Sequence, residues 1–499
     1  MQKRQVLINA IMSVLQTIVI AIVLFILYRF LLETIGIEQL GIWSLVLATT
    51  SVTQIANFGL SGSVVKFVAK YVARGEDENI SAVIQTAVLS IAMSVGILML
   101  IGYPIVKWVL AFIVPNEFIP LALSILPYAF LALWTLVITS IFQAGLDGYQ
   151  RIDLRSILLM GGAILHLLLC FILAPKYGLI GVAYARVIQN ITVLIISWIL
   201  LKKHLSLLPI LPFRWNKRIF KEIISYGINF QVISITSMLY DPITKALLIK
   251  FGGLSMVGFY EMANKMIYQI RALIVSANQV LVPAIADLQE KTPKKIQSIY
   301  LTSYQLLFYL ALPLFSLIIV FIPLISKLWI GHYENTFILF ATLLSIGWFL
   351  NTLNAPAYFA YLGIGRLRFN VISHIMIALL NVGLGFLLGV FYDGIGVVVA
   401  WVFSLALGSS IIYISYHLKH KISLVELVPK ASRIITVACL TGILFVLVIN
   451  RTFNHSFNLI LLNLVTIILY STIVFIPFWL HPMRKRLRGW VNKELLYRK

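Results

Sequence analysis

Charge is scarce in this sequence. Only 11% of its 499 residues are charged, 61% are apolar, and the mean hydropathy is +0.99. A soluble domain is nearer a quarter charged, and no water-soluble fold could hide this much apolar surface, so a soluble enzyme is excluded. Acids are scarcer than bases: 17 Asp and Glu stand against 39 Lys and Arg, a net +22. The two cysteines, Cys170 and Cys439, lie inside apolar runs, so no disulfide framework is implied. There is no phosphate-binding Gly-x-x-x-x-Gly-Lys-Ser/Thr loop, no His-Glu-x-x-His zinc pair and no Asp-x-Asp pair for a metal and a nucleotide sugar. Of eight His, most fall near the ends of apolar runs; His166 and His374 lie inside them and read as packed, hydrogen-bonded side chains. No metal and no cofactor is expected.

What the chain does have is long apolar runs. Crossing a bilayer takes about 20 such residues in a helix. Fourteen runs qualify: 6–31, 40–60, 81–103, 118–142, 154–173, 178–201, 226–249, 254–285, 299–329, 336–361, 367–391, 394–416, 432–449 and 457–480. The expected fold is an all-α integral membrane protein with 14 transmembrane helices. The first run follows Lys3 and Arg4 but is too long for the apolar core of a signal peptide, so it is read as a retained helix.

The basic residues sort by side. Arg29, Lys107, Lys176, Lys250, Lys327 and Arg451 mark one set of span ends, while 29 others, from Lys3 and Arg4 to Arg498 and Lys499, mark the opposite set. Positive charge concentrates on the cytoplasmic side. Both termini are therefore expected in the cytoplasm, with a multi-pass body in the cell membrane. The +22 reports topology and contact with anionic lipid heads, not nucleic acid.

The sequence repeats itself. Leu40-Gly41-Ile42-Trp43 matches Val257-Gly258-Phe259-Tyr260 at a shift of 217, and Tyr177-Gly178-Leu179-Ile180-Gly181-Val182 matches Tyr392-Asp393-Gly394-Ile395-Gly396-Val397 at 215. Arg151 and Arg366 share the second shift. Spans 1–6 and 7–12 thus read as two copies of a six-helix unit, with two C-terminal helices added. Six crossings return the chain to its starting side, so the copies are parallel repeats of a kind that encloses a central path in transporters. The expected divisions are 1–205, an amphipathic cytoplasmic linker at 206–225, a second bundle at 226–421, and 422–499 with the last two spans and a basic tail. In the linker, Arg214, Lys217, Arg218 and Lys221 oppose Ile219, Phe220, Ile223 and Ile224, the pattern of an interfacial helix.

An ionisable residue inside a span costs about 2.5–3.5 kcal/mol. Spans 7 and 8 hold five: Asp241, Lys245, Glu261, Lys265 and Arg271. Asp241 and Lys245 are four apart, as are Glu261 and Lys265, so each acid can meet a base on its own helix; Pro242 is placed to kink the first pair's helix. Asn264 and Tyr268 share a polar stripe with Arg271. Two readings stand at this point: internal ion pairs that stabilise packing, or a wet, net-positive cavity for an anionic group. Arg186, beside Gln189 and Asn190 in span 6, is a further candidate. Arg29, with Glu33 one turn on, joins the candidates although its length lets it snorkel to the interface.

The stretch Leu40-Gly41-Ile42-Trp43 through Asn57-Phe58-Gly59-Leu60, with Val64-Val65-Lys66-Phe67-Val68-Ala69, Phe142-Gln143-Ala144-Gly145, Tyr149-Gln150-Arg151 and Pro175-Lys176-Tyr177-Gly178, resembles the polysaccharide-export flippases. These belong to the superfamily of multidrug and toxin extruders and lipid II flippases. The resemblance implies a carrier of a polyprenyl-diphosphate-linked oligosaccharide, as in O-antigen or capsule assembly, moved to the outer leaflet by alternating access. It implies that Lys245, Lys265 and Arg271 attract the diphosphate-sugar head, and that Asp241 and Glu261 hold these bases or exchange with a coupling cation, H+ or Na+. A polysaccharide polymerase and a chain-length regulator are the protein partners it implies. Asn57 stands where many relatives have an acid, so no coupling role transfers there. A lipid II flippase and a cation-coupled multidrug antiporter are the alternatives of the same fold; the antiporter would call for an acidic cavity.

Overall fold

The computed structural model describes the backbone of residues 3–51, 60–227, 236–276, 278, 281–282, 285, 288–289, 292–453 and 459–496. Asn57 and the first part of the seventh expected span lie outside them. Among the described residues every regular element is helical: α1 (Lys3–Ser51), α2 (Leu60–Val72), α3 (Asp77–Ile113), α4 (Ile119–Gly148), α5 (Ile152–His204), α6 (Lys217–Gly227), α7 (Tyr240–Ser276), α8 (Ile296–Ile330), α9 (Asn335–Thr352), α10 (Ala355–Ile364), α11 (Arg368–His420), α12 (Leu424–Leu427), α13 (Lys430–Phe453), α14 (Leu459–Leu480) and α15 (Pro482–Leu496), apart from short 3₁₀ turns. Helix is what lipid demands, because each backbone N–H and C=O then finds its partner inside the segment.

Among the described residues, ten segments are long and apolar enough to cross a membrane. Four of them are each two crossings joined at a non-helical residue: Gly36 in α1, Gly178 in α5, Gly253 in α7, and Tyr392–Asp393 in α11. Ten segments with four breaks make the fourteen spans expected. Exposed apolar side chains such as Leu100, Phe112, Phe391 and Leu440 stud their outer faces, as a lipid-facing surface requires.

The breaks fall at repeat-equivalent positions. Gly36 (φ 82°, ψ 169°) and Gly253 (φ 79°, ψ 176°) are 217 residues apart and adopt the same backbone, one that essentially requires glycine. Gly178 (φ 58°, ψ −137°) and Asp393 (φ 52°, ψ −147°) match likewise at 215. The repeat also pairs with itself. A Cβ on Gly41 would strike the Leu254 carbonyl, and one on Gly258 would strike the Ile37 carbonyl; Leu254 is the counterpart of Ile37, and Gly258 of Gly41. The Ser255 hydroxyl donates to Glu38 Oε1 at 3.4 Å, and these two are also counterparts. A contact in which residue i meets the copy of j, and j the copy of i, is the signature of two-fold relation.

By its contacts the chain divides into two units, Met1–Glu261 and Met262–Lys499. In the first, α5 packs on α1 and α4 over a core that includes Ile42, Val46, Ile84, Ile125, Ile141 and Val182. The basic linker is fastened there rather than loose. Gln85 Oε1 accepts the Phe213 and Arg214 amides at 3.2 Å each, and the Ser63 hydroxyl donates to the Ile223 carbonyl at 2.8 Å. In the second unit, α8 packs with α13 and α14 around buried Tyr300, Tyr304, Tyr309, Tyr416 and Tyr470.

Candidate functional site

Three charged residues of the spans, Asp241, Lys245 and Glu261, gather in the first unit, while Arg271 stands among neutral partners in the second. In the first unit Lys245 is buried, with 2% of its side chain exposed. Its ammonium meets Asp241 one turn back on the same helix and, at 2.9 Å, Glu261 on the next span. The Tyr28 hydroxyl donates to Glu261 Oε1 at 3.0 Å, and Lys245 Nζ also lies 3.4 Å from the Ser44 carbonyl. The spacing of Asp241 and Lys245 foretells their pair. The tie from Lys245 to Glu261 is set by the packing of two helices, which no spacing along one helix reveals. The helix is interrupted at Leu239, three residues before Pro242, whose missing N–H leaves Met238 without that backbone donor.

Tyr28 and Ser44 are absent from the sequence-based site, and the repeat could have found them. At a shift of 217, Tyr28 is the counterpart of Lys245 and Ser44 of Glu261. Tyr28 contacts Glu261 and Lys245 contacts Ser44, so the cluster lies on the same two-fold seam as Gly41 and Gly258. Along that seam the architecture is repeated while the chemistry differs: hydroxyls in the first copy, an ion pair in the second.

Arg186 also belongs to the first unit. It is half-buried, and its Nη1 donates to Gln189 Oε1 at 3.2 Å. His166 is buried with its ring beside the Cys170 sulfur at 3.8 Å, a packed histidine as expected. Arg29 is bonded to Glu33 at 3.2 Å with both side chains more than half exposed, and an exposed pair of this kind contributes little to stability.

In the second unit Arg271, Tyr268 and Asn264 of α7 come together with residues the sequence reading did not choose. Arg271 Nε donates to Asn351 Oδ1 at 2.9 Å, and the guanidinium lies 4.9 Å from the Trp348 ring centroid and 5.8 Å from that of Tyr268. Trp348 Nε1 donates to Asn264 Oδ1 at 2.9 Å, while Asn351 Nδ2 donates to Ser409 Oγ at 2.8 Å. Tyr268 and Trp348 meet edge to face at 5.4 Å. An amide and an indole embedded in the apolar run Ile346–Asn351 were the available signal. Lys265 is on α7 one turn before Tyr268, and both are exposed.

The two arginines differ from Lys245 in how their charge is answered. Among the described residues no carboxylate lies within 4.0 Å of Arg186 or Arg271. A guanidinium held by neutral amides or aromatic faces still has N–H donors to spare, since it carries five in all.

The second unit also contains a cavity of about 680 Å³, lined mostly by apolar side chains including Leu306, Leu310, Leu314, Val474 and Phe478. None of the expected site residues lines it.

The fold is that of known membrane transporters. A lipid II flippase, MurJ, in an inward closed conformation superposes with a TM-score of 0.69 at 14% identity, over 94% of this chain and 98% of its own. An inward-facing multidrug-resistance MATE transporter of the MOP superfamily gives 0.68 at 16%, over 80% and 94%. A MOP-superfamily transporter from Pyrococcus furiosus, described as having a binding pocket of reversed polarity, gives 0.56 at 15%, over 81% and 95%. Comparison with curated proteins found no match. The family model described as "Polysaccharide biosynthesis protein" matches residues 4–289, more than half of the chain. On that match, the chain belongs to the polysaccharide biosynthesis protein family.

Proposed function

We propose that the protein is a flippase that carries a polyprenyl-diphosphate-linked oligosaccharide, a polysaccharide repeat unit, from the cytoplasmic to the outer leaflet by alternating access through a cationic cavity. One observation carries this reading: two guanidinium groups, Arg186 and Arg271, sit half-buried in membrane spans with no described carboxylate to neutralise them. Each would cost about 2.5–3.5 kcal/mol there, and a diphosphate offsets that cost when it arrives. Lys265, exposed on the same helix as Arg271, adds a third positive group. The apolar cavity of the second unit offers room for part of an isoprenoid tail.

Lys245 takes a different role in this scheme. Its charge is already answered by Asp241 and Glu261, so it holds the seam shut instead of greeting the cargo. Asp241 and Glu261 are then the groups at which a coupling cation, H+ or Na+, exchanges with Lys245. The multidrug antiporter reading fits less well, because a cationic drug would meet arginines that lack acids. Both termini are assigned to the cytoplasm, and the body to the inner membrane of a cell that builds O-antigen or capsule, where a polymerase and a chain-length regulator would act next.

In cells whose surface polysaccharide depends on this chain, Arg271→Glu and Lys265→Glu are expected to abolish export while the protein stays in the membrane at its normal level. Full export with both reversed variants would remove these residues from the mechanism.

A further inference from the structure

We infer that Tyr268 and Trp348, beside Arg271, form a subsite for the sugar ring bonded directly to the cargo's diphosphate. This rests on the flippase reading and adds to it which part of the cargo the second unit recognises. A pyranose has one face of C–H bonds and a rim of hydroxyls. It calls for an exposed aromatic face with amide or guanidinium donors at its edge, and this site has both.

Tyr268 is 44% exposed although it belongs to a transmembrane helix. Its ring is held in place by edge-to-face contact with Trp348 and by the guanidinium of Arg271. Trp348 is itself fixed, because its indole N–H is given to Asn264 Oδ1. That bond uses only the oxygen of Asn264 and leaves its Nδ2 hydrogens directed elsewhere. Arg271 is oriented in the same way: Nε is committed to Asn351, which is committed in turn to Ser409, and among the described residues neither Nη has an acceptor. Three spans thus fix an aromatic platform with amide and guanidinium donors at its rim.

The geometry suits a sugar next to a phosphate better than it suits a phosphate alone. A diphosphate needs cations and donors, and bare Lys or Arg side chains supply them. It gains little from an exposed phenol ring or from an indole locked by a half-buried amide. A guest that lays its diphosphate against the Nη groups of Arg271 places its first sugar, one bond further on, within reach of the Tyr268 ring 5.8 Å away. Aromatic faces beside a cation are also well suited to partly polar guests, since the ring offers apolar area and the cation orients it.

The test uses the purified full-length protein and two probes: a polyprenyl diphosphate, and the same lipid carrying one N-acetylhexosamine. Wild type is expected to bind both, the sugar-bearing lipid more tightly. Tyr268→Leu should weaken binding of the sugar-bearing lipid about tenfold, which is about 1.4 kcal/mol, and leave the sugar-free lipid unchanged. Tyr268→Phe, which keeps the ring, should restore wild-type discrimination. Equal loss for both lipids, or no loss for either, would overturn the subsite while leaving the flippase reading intact. If wild type bound neither lipid, the reading it rests on would fall with it.

Discussion

Lys245 shows how a membrane span tolerates a charge. Burying one ion is expensive, and an ion pair offsets that only when its geometry is good and its remaining donors are satisfied. Lys245 meets both conditions through Asp241, Glu261 and the Ser44 carbonyl. Removing one partner is then worse than removing the set. Lys245→Met is expected to destabilise the protein by about 3–5 kcal/mol, with Glu261 left buried and uncompensated, and Lys245→Met with Glu261→Gln should recover a large part of that. Thermal unfolding of the detergent-solubilised single and double variants measures the coupling; strictly additive losses would show that the pair is not the unit. Asp393 gives a second residue-scale prediction. It holds at φ 52° a backbone that its counterpart Gly178 adopts freely. Such a conformation costs a non-glycine residue on the order of 1–3 kcal/mol, so Asp393→Gly should raise the unfolding temperature, and a lower one would contradict the assignment of strain.

At the scale of elements, the fourteen spans were legible because their signal is local: a run of apolar residues of bilayer length. The four tight joints at Gly36, Gly178, Gly253 and Asp393 were marked by glycine or by repeat position. The site was legible only in part. Asp241, Lys245, Glu261 and Arg271 declared themselves as charges in apolar surroundings. Tyr28, Trp348 and Asn351 did not, because a tyrosine, a tryptophan or an asparagine in a span is ordinary until a neighbouring helix brings a charge against it. The seam where the two copies meet makes a direct prediction. Glu38→Cys with Ser255→Cys should be bridged by a short, reducible bis-methanethiosulfonate reagent, since the native side chains meet at 3.4 Å, and the cross-linked protein should stop transporting until it is reduced. Transport that continues with the bond intact would show that the seam does not open.

The C-terminal helix α15 is attached through His481. His481 lies buried where its Nε2 meets Ser432 Oγ at 3.1 Å, its Nδ1 accepts the Met483 amide, and its ring stacks on Tyr309 at 4.7 Å. Arg484, on α15 three residues on, places its guanidinium 4.0 Å from the Trp479 ring centroid. Burial pushes the His481 pKa down from its ordinary 6.5, so the imidazole is neutral when folded. A group depressed in this way contributes its stability above about pH 6.5, the unfolded value, and loses it as pH falls through the folded value. Amide hydrogen exchange over residues 482–489 should therefore quicken below about pH 6 beyond its intrinsic trend. His481→Gln should flatten the dependence. A protection profile unchanged from pH 7.5 to 5 would exclude this attachment.

At the scale of the whole molecule, the charge imbalance of +22 is a statement about sides. If it reports topology, tags at both ends are accessible from the cytoplasm and not from outside, whereas Lys107→Cys labels from outside; a terminus labelled from outside would invert the assignment. Nearly matched copies build the frame, and the differences between them carry the chemistry. Lys245 and Glu261 in the second copy replace Tyr28 and Ser44, and Arg186 in the first stands where the second has Trp401. The claim that joins these observations is that uncompensated arginines in the spans carry an anionic lipid-linked sugar across the bilayer. Proteoliposomes loaded with a fluorescent polyprenyl-diphosphate oligosaccharide test it by following the fraction that changes leaflet. The account predicts transfer well above protein-free vesicles, lost in Arg186→Glu/Arg271→Glu at equal reconstitution. Wild-type transfer no faster than empty vesicles, or an undiminished rate in the double variant, would contradict it.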